Sequence, residues 1–342
     1  MLTWRKIRRR VGNRIRALTG ADETVAARHE LAAVRDQVAE AVAARHDLAA
    51  IRDQVAEAVA ARHDLAAIRD QITGATARFE DVLAIELERR RLALDCLADL
   101  QTQLEAARLS SEYSAAFNEP DPLITVRIAS YQRTRHLLDI ALPSVLAQTY
   151  PNFEIVIVND GPNERTRAAL SNLREPRIRY HELPRRGSYP EHSVSRWRVA
   201  GTPAGNQGLE LARGRWIAPV DEDDTLTPDR LERLLALARA HRAELAYGAV
   251  LQRNLVTGEE AVIWSDPPTL GSFSLQGALY HAALSFFTYE PLAWTLHEPG
   301  DWNLTRRMLQ AGVRIASTQE IVGTLHWVPV PDKPTHPWAA HS

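Results

Sequence analysis

Residues Trp216-Ile217-Ala218-Pro219-Val220 form an apolar run that ends in four consecutive carboxylates, Asp221-Glu222-Asp223-Asp224. Adjacent like charges repel, so folding by itself supplies no reason to gather them at a strand end. A hard divalent cation supplies one, because Mg²⁺ and Mn²⁺ prefer oxygen ligands. A solvated acidic turn in front of the helix near Pro228 is the competing reading of the same residues. A second acidic position, Asp160, follows the apolar run Phe153-Glu154-Ile155-Val156-Ile157-Val158-Asn159. In open α/β sheets, ligands bind at the carboxyl ends of the strands. Two acidic strand ends in such a sheet would therefore line one crevice.

The elements that would carry these residues alternate. Residues 124–130 read as a strand, 134–148 as a helix, 153–158 as an almost wholly apolar strand, and 163–174 as a helix. A strand follows at 177–183, then a long irregular loop, a helix at 204–213, a strand at 215–220 and a helix at 228–241. Buried parallel strands read as continuous apolar runs. Alternation of strand and helix predicts a mostly parallel sheet with helices on both faces.

The residues before this region are of another kind. All 19 prolines of the 342-residue chain lie after residue 117. Ala27–Val38 recurs 17 residues later at Ala44–Val55 and again at Ala61–Ile72. Leu31, Val34 and Val38, then Leu48, Ile51 and Val55, then Leu65, Ile68 and Ile72 share one helical face. Seventeen is two heptads plus three, a stammer that overwinds a coiled coil. The pattern predicts a long α-helical coiled coil over 21–117, self-associating, or a hairpin bent near Gly74. His29, His46 and His63 recur with the repeat; that spacing keeps them from sharing a metal, and they read as a solvated face. Within residues 1–20, Trp4, Ile7, Val11, Ile15 and Leu18 lie on one face among many arginines. Such a basic amphipathic helix can rest on an anionic membrane surface; the alternative is a solvated start to the coiled coil. The expected division is a basic helix at 1–20, coiled coil at 21–117, linker at 118–123, globular domain at 124–330 and tail at 331–342.

Composition narrows the setting. A net charge of −2 argues against a nucleic-acid partner. A lone cysteine, Cys96, excludes an internal disulfide and suits a reducing compartment. No run is apolar for the roughly 18 residues a membrane span needs. These features predict a cytoplasmic protein, associated with the inner face of the membrane if residues 1–20 bind lipid.

Residues 124–326 resemble a family 2 glycosyltransferase of the GT-A fold. Ser130-Tyr131-Gln132-Arg133 is similar to that family's Thr-Tyr-Asn-Arg turn, and Ser144–Pro151 to its Ser-Val-Leu-x-Gln-Thr-Tyr-Pro helix end. Asn159-Asp160-Gly161 stands where Asp-Asp-Gly is usual. Asn206–Gly214 resembles the segment preceding the metal motif, and Asp221–Asp224 resembles the Asp-x-Asp-Asp motif itself. Gly300-Asp301-Trp302, with Arg306 and Gly312, resembles the acceptor-side motif, with Gly300 in place of its usual Glu.

The resemblance implies a GT-A sheet, Rossmann-like, and an inverting transfer from a nucleotide sugar to a hydroxyl. The donor is expected to be a UDP-sugar and the acceptor a glycan or lipid-linked sugar of the cell surface. Ser130, Tyr131, Arg133, Asp160, Asn206 and Asp221 would contact the donor. Asp223, with Asp221 and His326, would hold Mn²⁺ or Mg²⁺. Asp301 would be the general base, its competing reading being a helix cap. His326 reads equally as a buried structural residue. A different class of function is a coiled-coil scaffold whose globular part binds nucleotide sugar without turnover.

Overall fold

The structure, a computed structural model, describes residues 32–43, 45, 48 and 65–328. The basic helix expected at 1–20, most of the repeats and the tail at 331–342 lie outside these residues. The chain divides after Glu86, inside helix α1 (Leu65–Arg108). In the first unit, residues 32–43 are helical. α1 runs unbroken through Gly74, so the bend expected there is absent. Gln37 Nε2 donates to Glu86 Oε2 at 2.7 Å, which brings residues 49 positions apart side by side. Phe79, Val82, Leu83 and Ile85 are exposed on α1.

The second unit, from Leu87 onward, is built on one sheet. After α1 come α2 (Ser111–Asn118), β1 (Ile124–Ser130) and a helical segment α3 made of Thr134–His136, Leu137–Ala141 and Leu142–Leu146, its middle turn a π-helix. Next are β2 (Phe153–Asn159), α4 (Glu164–Leu173), β3 (Ile178–Glu182), α5 (Ser193–Val199), α6 (Thr202–Leu211) and β4 (Trp216–Asp221). The chain continues through β5 (Thr225–Leu226), α7 (Arg230–His241), β6 (Leu245–Asn254), β7 (Glu260–Ile263), β8 (Ala278–His281), α8 (Gly300–Ala311) and β9 (Ile315–Trp327).

The strand order is β3-β2-β1-β4-β8-β6-β9-β5, with β7 on β6. β1 to β4 pair in parallel, as the alternation predicts. Every residue of β2 is buried, as its apolar run requires. Beyond β4 the sheet turns mixed, with β8 antiparallel to both β4 and β6. β8 is reached by loops rather than a crossover helix, so it is free to run the other way.

The boundary expected at 118–123 falls inside the fold. Leu100, Leu104, Tyr113, Ala116 and Phe117 are buried in the core, and Leu97 packs against it. Tyr113 stacks on His281 at 4.6 Å, and Phe117 meets Trp216 edge-on at 5.3 Å. The Trp216 indole donates to the Ala116 carbonyl at 3.1 Å. Glu244, fully buried, fixes this end of α1. It accepts from Arg108 Nε at 2.6 Å, Arg108 Nη2 at 2.8 Å, Tyr113 Oη at 2.6 Å and Arg314 N at 2.8 Å. Proline content marks where the helical composition stops, not where burial starts, which is why composition misplaced the edge.

Candidate active site

β1, β2 and β4 end side by side. Register pairs Ser130 with Asn159 and Ala129 with Asp221, so the three strand ends open on one crevice. Parallel pairing of three apolar strands forces this coincidence, because their polar ends must all leave the sheet on one side.

The β4 end carries the acidic cluster. Asp221 meets solvent at the crevice but is enclosed by protein on its other sides. That enclosure, then the charges of Asp223 and Asp301, raises its pKa to about 7, against the opposing charge of Arg127. Asp224 is buried and also raised, by burial first and then by Asp221 and Asp223. His326 on β9 donates its backbone N–H to Asp224 Oδ1 at 2.9 Å. The His326 Nδ1 lies 2.9 Å from the Asp223 carbonyl. A carbonyl only accepts, so Nδ1 carries the proton, and in the neutral imidazole Nε2 is then the nitrogen with the lone pair. Asp223 itself pairs with Arg133 from the β1 turn.

Among the described residues, no three His, Cys, Asp or Glu side chains stand together closely enough to cage a metal ion. Mg²⁺ is commonly held by one or two carboxylates together with substrate phosphates. The mutually repelling carboxylates of Asp221 and Asp223, beside an imidazole with a free lone pair, fit that open arrangement. They do not fit a closed protein cage.

Glu222, which the motif leaves unspecified, is buried and bridges the two turns. It accepts from Ser130 Oγ at 2.5 Å and from Tyr131 N at 3.1 Å. Burial raises its pKa to about 7, and these hydrogen bonds oppose the rise. In the same turn Gln132 has φ of 54°, the left-handed region in which the family's Asn is more at ease.

At the β2 end, Asp160 is buried. Its Oδ1 accepts from Gly187 N at 2.8 Å and its Oδ2 from Tyr189 Oη at 2.6 Å. Arg186 stacks on Tyr131 at 4.3 Å. The turn needs Gly161: φ is 102°, and a Cβ there would sit 2.9 Å from Arg186 N. Segment 185–189 thus covers Asp160 and the face of Tyr131.

On the acceptor side, Asp301 stands in the first turn of α8. Its Oδ1 accepts from Trp302 N at 2.8 Å. Burial raises its pKa above the ordinary aspartate value, and backbone hydrogen bonds oppose the rise. A side chain at Gly300 would start 3.1 Å from Thr202 Cγ2 and 3.7 Å from Tyr289 Cδ1. The place of the family's Glu is filled by these neighbours.

Asn206, expected at the donor, instead spends its amide on the backbone of Tyr289: Nδ2 donates to the carbonyl at 2.9 Å and Oδ1 accepts from the N–H at 2.7 Å. The Tyr289 hydroxyl accepts from Arg127 Nη2 at 2.7 Å. Arg127 is almost wholly buried in the middle of β1. Side chains at Gly205 or Gly208 of α6 would strike it at 3.1 and 2.7 Å. Sequence reading missed Arg127 and Tyr289. A charged residue inside an apolar strand, opposite glycines three apart on a helix, was the available signal for Arg127.

The fold and site are those of an α/β protein with a ligand crevice at its strand ends and carboxylates on both sides of it. Residues 125–190 and 193–290 match the sequence model described as Glycosyl transferase family 2. Over that stretch the chain is similar to family 2 glycosyltransferases. The chain is 35% identical over 127 residues to the succinoglycan biosynthesis protein ExoO of Rhizobium meliloti, covering 36% of this chain and 32% of that protein. It is 31% identical over 154 residues to the putative colanic acid biosynthesis glycosyl transferase WcaA of Escherichia coli, covering 44% and 48%. It is 25% identical over 141 residues to an E. coli UDP-Glc:alpha-D-GlcNAc-diphosphoundecaprenol beta-1,3-glucosyltransferase, covering 41% and 51%. The chain thus spans a third to a half of the length of these relatives. The crystal structure of S. aureus TarS is similar at a TM-score of 0.48 and 16% identity, over 60% of this chain and 36% of that one.

Proposed function

We propose that this chain is a metal-dependent, inverting glycosyltransferase that builds cell-surface polysaccharide. The donor is a nucleotide sugar, taken as a UDP-sugar, and the acceptor a hydroxyl of a glycan or lipid-linked sugar. The carrying observation is that Tyr289 packs against the position of Gly300, next to Asp301, and is bonded by Arg127 of β1, the strand paired with the one that ends in Asp221. In this reading the donor-side and acceptor-side carboxylates face one crevice. The curated relatives, named for succinoglycan and colanic acid biosynthesis, support the setting.

Asp221 and Asp223, with His326 Nε2, would hold Mn²⁺ or Mg²⁺, which supplies positive charge to the departing diphosphate. Ser130, Tyr131 and Arg133 lie on the turn that would meet the nucleotide. For Asp160 to reach a base, segment 185–189 must open. Asp301 takes the proton from the acceptor hydroxyl as the oxygen bonds to the anomeric carbon. The carbon–oxygen bond to the diphosphate breaks, and its electron pair leaves with that group. Attack from the opposite face inverts the anomeric centre. Self-association through the 17-residue repeats and peripheral contact of residues 1–20 with the membrane belong to this reading. Among the described residues no helix is long and apolar enough to cross a membrane.

Thermal melts against nucleotides and nucleotide sugars, with and without Mn²⁺, test it. A ligand at a hundred times its Kd stabilises by about 2.7 kcal/mol. A Mn²⁺-dependent shift with one nucleotide, followed by sugar transfer, is expected. Binding without transfer would leave the scaffold reading instead.

A further inference from the structure

Arg185, Arg186, Arg196 and Arg198 stand on the stretch between β3 and α6, which carries a single carboxylate, Glu191. Elsewhere, arginines such as Arg167, Arg177 and Arg306 have carboxylate partners. Arg198 has none among the described residues. Arg186 is occupied by Tyr131 and Tyr189, and Arg196 Nη1 donates to the Glu191 carbonyl at 3.0 Å. Arg198 is half-buried, and its polar contact is the ring of His297, Nη1 to Nδ1 at 3.5 Å.

Withdrawing a guanidinium from water without a counter-charge costs free energy. Burial accordingly lowers the pKa of Arg198, and no anion opposes the shift. The backbone of α5 at this residue also packs beside the residue that precedes Asp301. The Arg198 carbonyl lies 3.4 Å from where a side chain at Gly300 would begin, one residue from Asp301. A guanidinium fork matches phosphate oxygens in pairs.

We propose that Arg198 forms an anion subsite on the acceptor side of the crevice, and that the group it binds is a phosphate or diphosphate ester carried by the acceptor. Assigning that anion to the acceptor rests on the transferase reading. The anion site itself does not.

The test is calorimetric titration of the full chain, in EDTA, with a hexose linked to farnesol through diphosphate and with the same hexose as a neutral farnesyl ether. The diphosphate ester should bind at least tenfold more tightly. Arg198→Gln should abolish that preference, and Arg198→Lys should restore part of it. Equal binding of the two compounds, or a preference that survives Arg198→Gln, overturns the proposal. In turnover, Arg198→Gln should raise the acceptor KM tenfold and leave the donor KM within twofold. A raised donor KM instead would assign Arg198 to the donor diphosphate and overturn the acceptor subsite. Flotation with phosphatidylglycerol vesicles should be unchanged by the substitution. Loss of vesicle binding with the ester preference intact would transfer the arginine to lipid headgroups, again overturning it. The titration needs no catalysis. A chain that holds the ester through Arg198 but transfers no sugar keeps the subsite and loses the transferase reading.

Discussion

Asn206 grips Tyr289 at both backbone polar groups, accepting from its N–H at 2.7 Å and donating to its carbonyl at 2.9 Å. Arg127 holds the same residue by its hydroxyl. Tyr289 is therefore pinned to α6 and to β1, and its ring lies against the position of Gly300. The segment leading to Asp301 is thus fixed to the strand whose end opens on the donor crevice.

Removing this grip should loosen the site as well as the fold. Asn206→Ala leaves two backbone groups of Tyr289 without partners, and each such loss costs about 1–3 kcal/mol. Thermal melting should fall accordingly. kcat should drop with little change in donor KM. A raised donor KM at unchanged kcat would return Asn206 to the nucleotide.

Asp301→Asn should lower kcat by about 10²–10⁴-fold, the range general-base catalysis supplies. Nucleotide binding by thermal shift should persist. Burial holds the carboxyl above the ordinary aspartate value of 3.8, and only its ionised form can accept a proton. Activity should therefore decline, as pH falls, before an ordinary aspartate would titrate. A pH–kcat/KM profile flat down to that value would remove Asp301 as the base.

Asp223 already has a cation, Arg133. A divalent ion must compete with that guanidinium. Arg133→Gln should lower the Mn²⁺ concentration needed for half-maximal stabilisation of the donor-free chain, while Asp223→Asn should raise it. Calorimetric Mn²⁺ titration of the three proteins measures both. Unchanged Mn²⁺ affinity in Asp223→Asn would exclude it as a ligand.

Glu244 should be the acid-sensitive link between α1 and the sheet. Burial raises its pKa, but the hydrogen bonds from Arg108 and Tyr113 more than offset this, and the folded value lies below the ordinary 4.5. A depressed carboxyl stabilises fully above its unfolded pKa and loses that contribution as pH falls through the folded one. Glu244→Gln should cost about 1–3 kcal/mol near neutrality, because Arg108 and Arg314 lose their counter-charge but remain partly open to solvent. The gap between wild type and variant, followed by urea melts, should narrow below pH 4.5. A constant gap would mean the carboxylate charge is not what matters.

The apolar runs of β1, β2 and β4, and the carboxylates ending β2 and β4, were legible because burial and charge repulsion act on neighbours in sequence. Each residue's type and spacing stated where the strand stopped and that a cation or ligand was wanted there. The 17-residue repeat was legible for the same reason, since helical periodicity is local. Three things were decided by tertiary structure. Asn206 turned from donor contact to anchor because Tyr289, 83 positions away, presents its backbone to it. The domain edge moved back into α1 because Glu244, 136 positions from Arg108, needs a buried partner. Asp160 is covered because the loop bearing Gly187 and Tyr189 returns over it. Each depends on a pairing between distant segments, and such pairings leave no periodicity or composition in either segment alone.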